Sequence, residues 1–352
     1  MSGVFEHSYL SGLFGDDEVS RCWSASRMLE HMCAFESAWS RALGAAGMFD
    51  NETAERTAQQ IESAELDIED LRNAMARDGV VVPGLVTQLE KITGGDALHT
   101  GATSQDVIDT ALVLALRDTS YLIEKRLNQL DDMLQRLESL YGDAPLIART
   151  RMQAATMITV ADRIRPWRLP LQSHLQRLEQ LRVRVEKVQV GGASGDRADI
   201  AEHQKIIVDH VAGTLGLASA ERAWHVMRDT VTEYASLLSM ISGTLGKMGQ
   251  DILLMAQQGI DEIELTGGGG SSAMPHKQNP VLAELLVTLA RFNAVQVAGM
   301  HQSMVHEQER SGAAWSLEWM ILPQMANATG RALAASIEIC NQVKRIGKKD
   351  VG

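Results

Sequence analysis

Aromatic residues are scarce: Phe, Trp and Tyr together make up 4% of the 352 residues. Sheet proteins draw heavily on aromatic and β-branched side chains, so this shortage argues against a sandwich or barrel. One β-like run, Val80-Val81-Val82-Pro83, is short and stopped by proline, and no sheet is built on it. Cysteines are few and odd in number: Cys22, Cys33 and Cys340 show no metal-like spacing. They exclude a disulfide framework and read as buried free thiols in a reducing cytoplasm. Positive charge is in deficit, with 33 Lys+Arg against 45 Asp+Glu and a net charge of −12. That balance argues against a nucleic-acid surface. The N-terminal stretch lacks a basic segment followed by an apolar run, so no signal peptide is expected. No uninterrupted apolar stretch is long enough for a bilayer, and no membrane partner is expected. His301 and His306 fall on different faces of a helix, and His-Glu-x-x-His does not occur, so no metal site is expected.

What is present favours helices. Hydrophobic residues reach 45% and charged residues 22%, the balance of a globular chain. Ser24 is placed to cap a helix from about Ala25 to Gly47, with Leu29, Met32, Glu36 and Trp39 on related faces. A second piece runs from Glu52 to Ala76, with a turn at Asp78-Gly79. From Ser104 to Tyr141 apolar residues recur in steps of three and four, predicting a long amphipathic helix broken at Gly142-Asp143-Ala144-Pro145. A second long helix is expected to open at Arg149-Thr150-Arg151-Met152-Gln153-Ala154-Ala155, with kinks at Pro166 and Pro170. A loop follows at 191–195, then a third helix carrying Trp224 to Ile252, a fourth from Pro280 toward Glu309, and a fifth from Leu317 to Lys344. Long helices joined by short loops pack antiparallel, so the expected class is all-α: a small helical domain over 1–103, a long-helix bundle over 104–345, and a tail over 346–352. The broad apolar sides of such a bundle call for oligomerisation.

The stretch Thr266-Gly-Gly-Gly-Gly-Ser-Ser-Ala-Met-Pro-His-Lys-Gln-Asn-Pro280 stands apart. Four glycines cannot hold one conformation unaided, and such loops either link elements or close over a site. Asn279-Pro280 reads as N-cap and first residue of the next helix, whose free N–H groups suit an anion, with Lys277 adding a cation nearby. The loop is neither a phosphate-binding Walker motif nor a nucleophile elbow. A second stretch, Leu98-His-Thr-Gly-Ala-Thr-Ser-Gln-Asp106, precedes the first long helix. Thr-Ser-x-Asp there is a capping pattern, and its hydroxyls and amides also form an anion cradle.

The run Ser271-Ser-Ala-Met-Pro-His-Lys-Gln-Asn-Pro280 resembles the signature of the fumarase/aspartase superfamily, which includes argininosuccinate lyase, adenylosuccinate lyase and the carboxymuconate cycloisomerases. Ala102 to Ala111 is similar to that superfamily's first shared region, and Arg149 to Ala155 to its second. Lyases have a histidine where this chain has Arg151, and that histidine serves the leaving group as acid. Its replacement, with Glu309-Arg-Ser-Gly-Ala-Ala-Trp315 downstream, resembles the cycloisomerase branch.

The resemblance implies lactonisation of 3-carboxy-cis,cis-muconate through an aci-carboxylate, in protocatechuate breakdown. Adenylosuccinate lyase, or another lyase that eliminates fumarate, is the alternative. It implies Ser271 as the proton-transfer group, with His99, Lys277 and Glu284 also catalytic and Glu284 orienting a histidine. Substrate contacts are implied at Thr103, Ser104, Thr150, Arg151, Gln153, Ser272, Met274, His276 and Asn279. It implies no cofactor, a small polycarboxylate substrate, a cytoplasmic location, and a homotetramer built on a twenty-helix bundle with sites shared among subunits. Family members usually carry a further small helical domain after the bundle, which is expected to be absent or truncated in this chain.

Overall fold

The computed structural model describes residues 3–270, 274 and 278–347. Short helices come first: α1 (Ser11–Phe14), α2 (Asp17–Cys22), α3 (Ala25–Ala45), α4 (Asn51–Glu62), α5 (Ile68–Asp78) and α6 (Val82–Thr93). Ser24 caps α3 by accepting from the Arg27 N–H. The stretch expected as one helix from Glu52 to Ala76 is two, because Asp67 caps a new start at Ile68. The valine run joins helix α6, with Pro83 in its first turn where a missing N–H costs nothing.

Next comes α7 (Ser104–Tyr141), 38 residues long as the periodicity predicts. After it the structure departs from expectation. Arg149–Ala155 does not open a helix. It forms the tip of an antiparallel hairpin, β1 (Pro145–Thr150) paired with β2 (Gln153–Thr159). Arg151 and Met152 make the turn with φ of 50° and 67°, the left-handed pair that tight hairpins require. The helix start lies further on, at a capping box that sequence reading passed over: Thr159 N–H donates to Asp162, and Asp162 N–H to the Thr159 hydroxyl. There α8 (Val160–Val185) begins, with Pro166 and Pro170 inside it.

A short helix not foreseen, α9 (Gln204–Leu215), precedes α10 (Asp229–Met255). Trp224 therefore lies ahead of its helix rather than on it. Strand β3 (Ile263–Leu265) leads to the glycine loop, then α11 (Val281–Gln302), α12 (Gly312–Gln342) and β4 (Val343–Ile346), which pairs with β3. Asn279 is not the cap of α11. Its backbone exchanges two hydrogen bonds with Gly269, at 2.9 and 3.0 Å, closing the neck of the loop, and Pro280 takes the cap position.

Helices α7, α8, α10, α11 and α12 form the bundle around one apolar core, including Leu130, Trp167, Ile241, Leu286 and Leu333. A second core, around Phe35, Trp39, Leu85 and Leu89, also takes in Val107 and Ile108 from α7 and Ile207 and Val211 from α9. Each fully buried side chain of this size contributes about 1.5–3 kcal/mol. Helix α11 is the odd member. An 18-residue window of it has a mean hydropathy of 1.5 but is only 28% buried, a length and composition that could cross a membrane. Glu284 and Arg291 interrupt it, and Val295 is exposed.

Candidate active site

The bundle has two ends, and the chemistry-bearing segments divide between them. Helix α7 starts at one end with Thr103 and Ser104, and the hairpin follows its far terminus. At about 1.5 Å per residue, these ends lie about 57 Å apart.

At the first end, Thr103 is the N-cap of α7 and its N–H donates to Asp106 Oδ2 at 3.1 Å. Capping leaves Thr103 and Ser104 half-exposed. Asp106, wholly buried, also accepts from the Gly192 N–H at 2.9 Å and lies 2.8 Å from His225 Nε2. Gln105 donates to the His225 carbonyl at 2.9 Å and accepts from Arg310 Nε at 3.1 Å. Three distant segments, those of Gly192, His225 and Arg310, are thus tied to the first turn of one helix. The glycines permit the approach: a Cβ on Gly192 (φ 69°) would lie 3.1 Å from the Gly101 carbonyl.

His99 sits just before this turn in left-handed backbone, φ 52°. Its Nδ1 is 2.6 Å from Glu36 Oε1. Burial pushes the imidazole pKa down, but the Glu36 carboxylate, aided by Asp106, more than reverses this and the net shift is upward. Beneath lies a buried ionic group. Arg228 donates to Asp109 Oδ2 at 2.7 Å and to Glu318 Oε1 at 2.9 Å, and Trp315 Nε1 donates to Asp109 Oδ1 at 3.0 Å. All three charged residues are essentially inaccessible to water. The two carboxylates hold the Arg228 pKa above its ordinary value against the effect of burial.

The far end is built differently. Thr150, Arg151 and Gln153 are exposed on the hairpin tip. Arg149 Nη1 reaches Glu262 Oε1 at 2.8 Å, which fastens the hairpin beside the segment leading to the glycine loop. These arginines therefore do not oppose a helix dipole, as a helical placement would have required. Met274 is exposed and Asn279 half-buried at the neck. Glu284 is exposed in the first turn of α11, and its carboxylate meets no histidine among the described residues. Ser271, Ser272, His276 and Lys277 lie outside the described residues.

One chain thus joins Thr150, Arg151, Gln153 and the loop neck at one end and His99, Thr103 and Ser104 at the other, and does not bring the two sets together. Sequence reading did not single out Glu36, His225 and Arg228 as partners of these groups. Glu36 had a signal: a carboxylate set in the apolar stripe of Met32, Phe35, Trp39 and Leu43. His225 and Arg228, in an irregular segment, had none.

A model of the lyase family matches residues 17–299. The chain is 35% identical over 347 residues to a 3-carboxy-cis,cis-muconate cycloisomerase of Pseudomonas aeruginosa, covering 96% of this chain and 75% of that one. It is 32% identical over 329 residues to an N-acetyl-S-(2-succino)cysteine lyase of Dickeya dadantii, covering 92% and 72%. The crystal structure of the 3-carboxy-cis,cis-muconate lactonizing enzyme from Pseudomonas putida superposes with a TM-score of 0.90 at 33% identity, covering 96% of this chain and 77% of that one. The chain belongs to the lyase family, on the fold shared by fumarases, aspartases and carboxymuconate cycloisomerases.

Proposed function

We propose that this protein is a cycloisomerase that lactonises 3-carboxy-cis,cis-muconate. The choice of chemistry within the family rests on the resemblance of Arg149 to Ala155 to the second shared region, in which Arg151 takes the position of the lyases' acid for the leaving group. A guanidinium stays protonated throughout the accessible pH range, so it cannot deliver a proton to a departing amine or thiol. It can grip a carboxylate with two parallel donors. A lactonisation suits this, since its nucleophile is a carboxylate of the substrate itself and nothing departs.

In the proposed reaction one carboxylate oxygen forms a C–O bond to an alkene carbon. The π electrons move toward a second carboxylate, giving an aci-carboxylate. A proton then forms a C–H bond at the adjacent carbon, and the electrons return. One carboxylate has become an ester, so the product carries one negative charge fewer and one proton is taken up. Ser271 is assigned that transfer, and Lys277, Asn279 and the start of α11 the stabilisation of the aci-carboxylate. Thr103, Ser104, Thr150, Arg151 and Gln153, with Ser272, Met274 and His276, are assigned to the substrate's carboxylates and its enclosure. Glu284 is assigned to orient a histidine of another chain.

The division of these residues between two ends about 57 Å apart supports a shared site, as does the largely uncovered α11. We assign a homotetramer in which each site draws on several chains. The unpaired thiols of Cys22, Cys33 and Cys340 support a reducing cytoplasm.

The likeness to an N-acetyl-S-(2-succino)cysteine lyase favours a second reading, elimination of fumarate from a succinylated thiol or amine. A spectrophotometric assay of carboxymuconate beside S-succinocysteine and adenylosuccinate separates the two. Turnover of carboxymuconate alone is expected. Fumarate release with no carboxymuconate turnover would overturn the proposal.

A further inference from the structure

The loop that carries His99 is held in conformations that ordinary residues avoid. Ala97 and His99 have φ of 56° and 52°, and Gly101 follows at 77°. Non-glycine residues in this region cost on the order of 1–3 kcal/mol each and persist only where their surroundings over-determine them. The surroundings here belong to the N-terminal helices. Trp39 Nε1 donates to the Thr100 carbonyl at 3.0 Å, and the Thr57 hydroxyl to the Asp96 carbonyl at 2.9 Å. Glu36, one turn before Trp39 on the same face of α3, is completely buried and meets His99 Nδ1. Its other oxygen, Oε2, is buried without a hydrogen-bond partner. A carboxylate placed in an apolar stripe with one partner is costly, and a packing role would be served better by an apolar side chain.

We infer that Glu36 is the positioning residue of His99: its carboxylate accepts a hydrogen bond from Nδ1–H and sets the ring so that Nε2 is the nitrogen offered to the substrate. The Trp39 indole and the Thr57 hydroxyl hold the backbone that makes this possible. Glu36 itself does not touch the substrate. The pair keeps the imidazole protonated further into neutral pH, so that Nε2–H meets a carboxylate as a charged donor. Other titratable groups near the ring are few. Asp106 faces it from α7, itself engaged by His225. Asp199 lies behind Gly101, and buried Arg197, within electrostatic reach of Asp106, is bound to the carbonyls of Val190, Ala220 and Glu221. Cys33, one turn before Glu36, has its thiol raised to about 11 by burial and stays neutral.

The assignment rests on the proposed lactonisation for what Nε2 does, but not for how the ring is held. The test uses the full chain labelled at histidine Cε1 and followed by NMR titration, with His99→Gln to identify the signal. Glu36→Gln and Glu36→Asp are compared with the unaltered protein, beside pH profiles of carboxymuconate turnover. In the unaltered protein His99 should titrate above about 6.5, the ordinary value. Glu36→Gln should move that titration and the alkaline limb of kcat/KM to lower pH, with turnover reduced about tenfold or more, and Glu36→Asp should restore part of both. If Glu36→Gln does not fold, the titration in the unaltered protein and in Glu36→Asp still decides. A His99 signal at or below the ordinary value in the unaltered protein overturns the inference. So does a Glu36→Gln protein that loses thermal stability and activity with neither titration nor pH limb displaced. Absence of carboxymuconate turnover in the unaltered protein would reject the proposed reaction and leave the titration to judge Glu36 on its own.

Discussion

The two ends of the bundle solve opposite problems. At the start of α7 the charged groups are buried and tied: Asp106 to Thr103, Gly192 and His225, and Arg228 to Asp109 and Glu318. At the hairpin tip Thr150, Arg151 and Gln153 are exposed. Rigid wiring preorganises charged donors and costs nothing further when substrate arrives. An exposed tip serves only if something else comes to it. In the proposed shared site, the contrast is one between a receiving half and a delivering half.

Substitutions should tell the halves apart. The largest effect on stability is expected at the wired end. Arg228→Met leaves Asp109 and Glu318 buried without their cation, and breaking a buried ionic group in this way costs about 3–5 kcal/mol. Urea denaturation should show the midpoint fall accordingly, and a loss below 1 kcal/mol would mean that the group is better solvated than its burial indicates. At the delivering end activity should fall without the fold. Arg151→Ala removes an exposed turn residue, so stability should stay within about 0.5 kcal/mol. Turnover should drop by about a hundredfold, as for loss of a charged transition-state contact. Equal losses of stability and turnover would place Arg151 in a structural role.

A smaller effect belongs to Thr159→Ala, which removes the N-cap of α8 and should cost about 1 kcal/mol in the same denaturation experiment. The finest distinction is one of pH. His99 has a raised folded-state pKa, so its pairing with Glu36 stabilises fully below the ordinary value near 6.5, and that contribution fades as pH rises through the folded value. The stability gap between the unaltered protein and His99→Gln should therefore be widest in mild acid and narrow toward alkaline pH. A gap that widened with pH would contradict the pairing.

The long helices were legible because each buries one stripe for many turns, and α7 begins and ends where its periodicity does. The hairpin was not. Arg149 to Ala155 contains good helix formers, and the decisive signal was the capping box ten residues further on at Thr159 and Asp162. The motifs identified the candidate residues. Their separation into two ends followed only from counting how far α7 carries the chain. The supports of His99 were hidden for another reason: Glu36 and Trp39 precede it by more than fifty residues and meet it through a fold no local pattern reveals.

Mixing two inactive proteins tests the shared site most directly. His99→Gln disables the receiving half and Arg151→Ala the delivering half, and the two are unfolded together, refolded and checked for mixed assemblies by native mass measurement. Carboxymuconate turnover well above either parent is expected, because some sites then combine an intact His99 from one chain with an intact Arg151 from another. Mixed assemblies that stay as inactive as their parents would place both residues in one chain's site and contradict the division between the two ends.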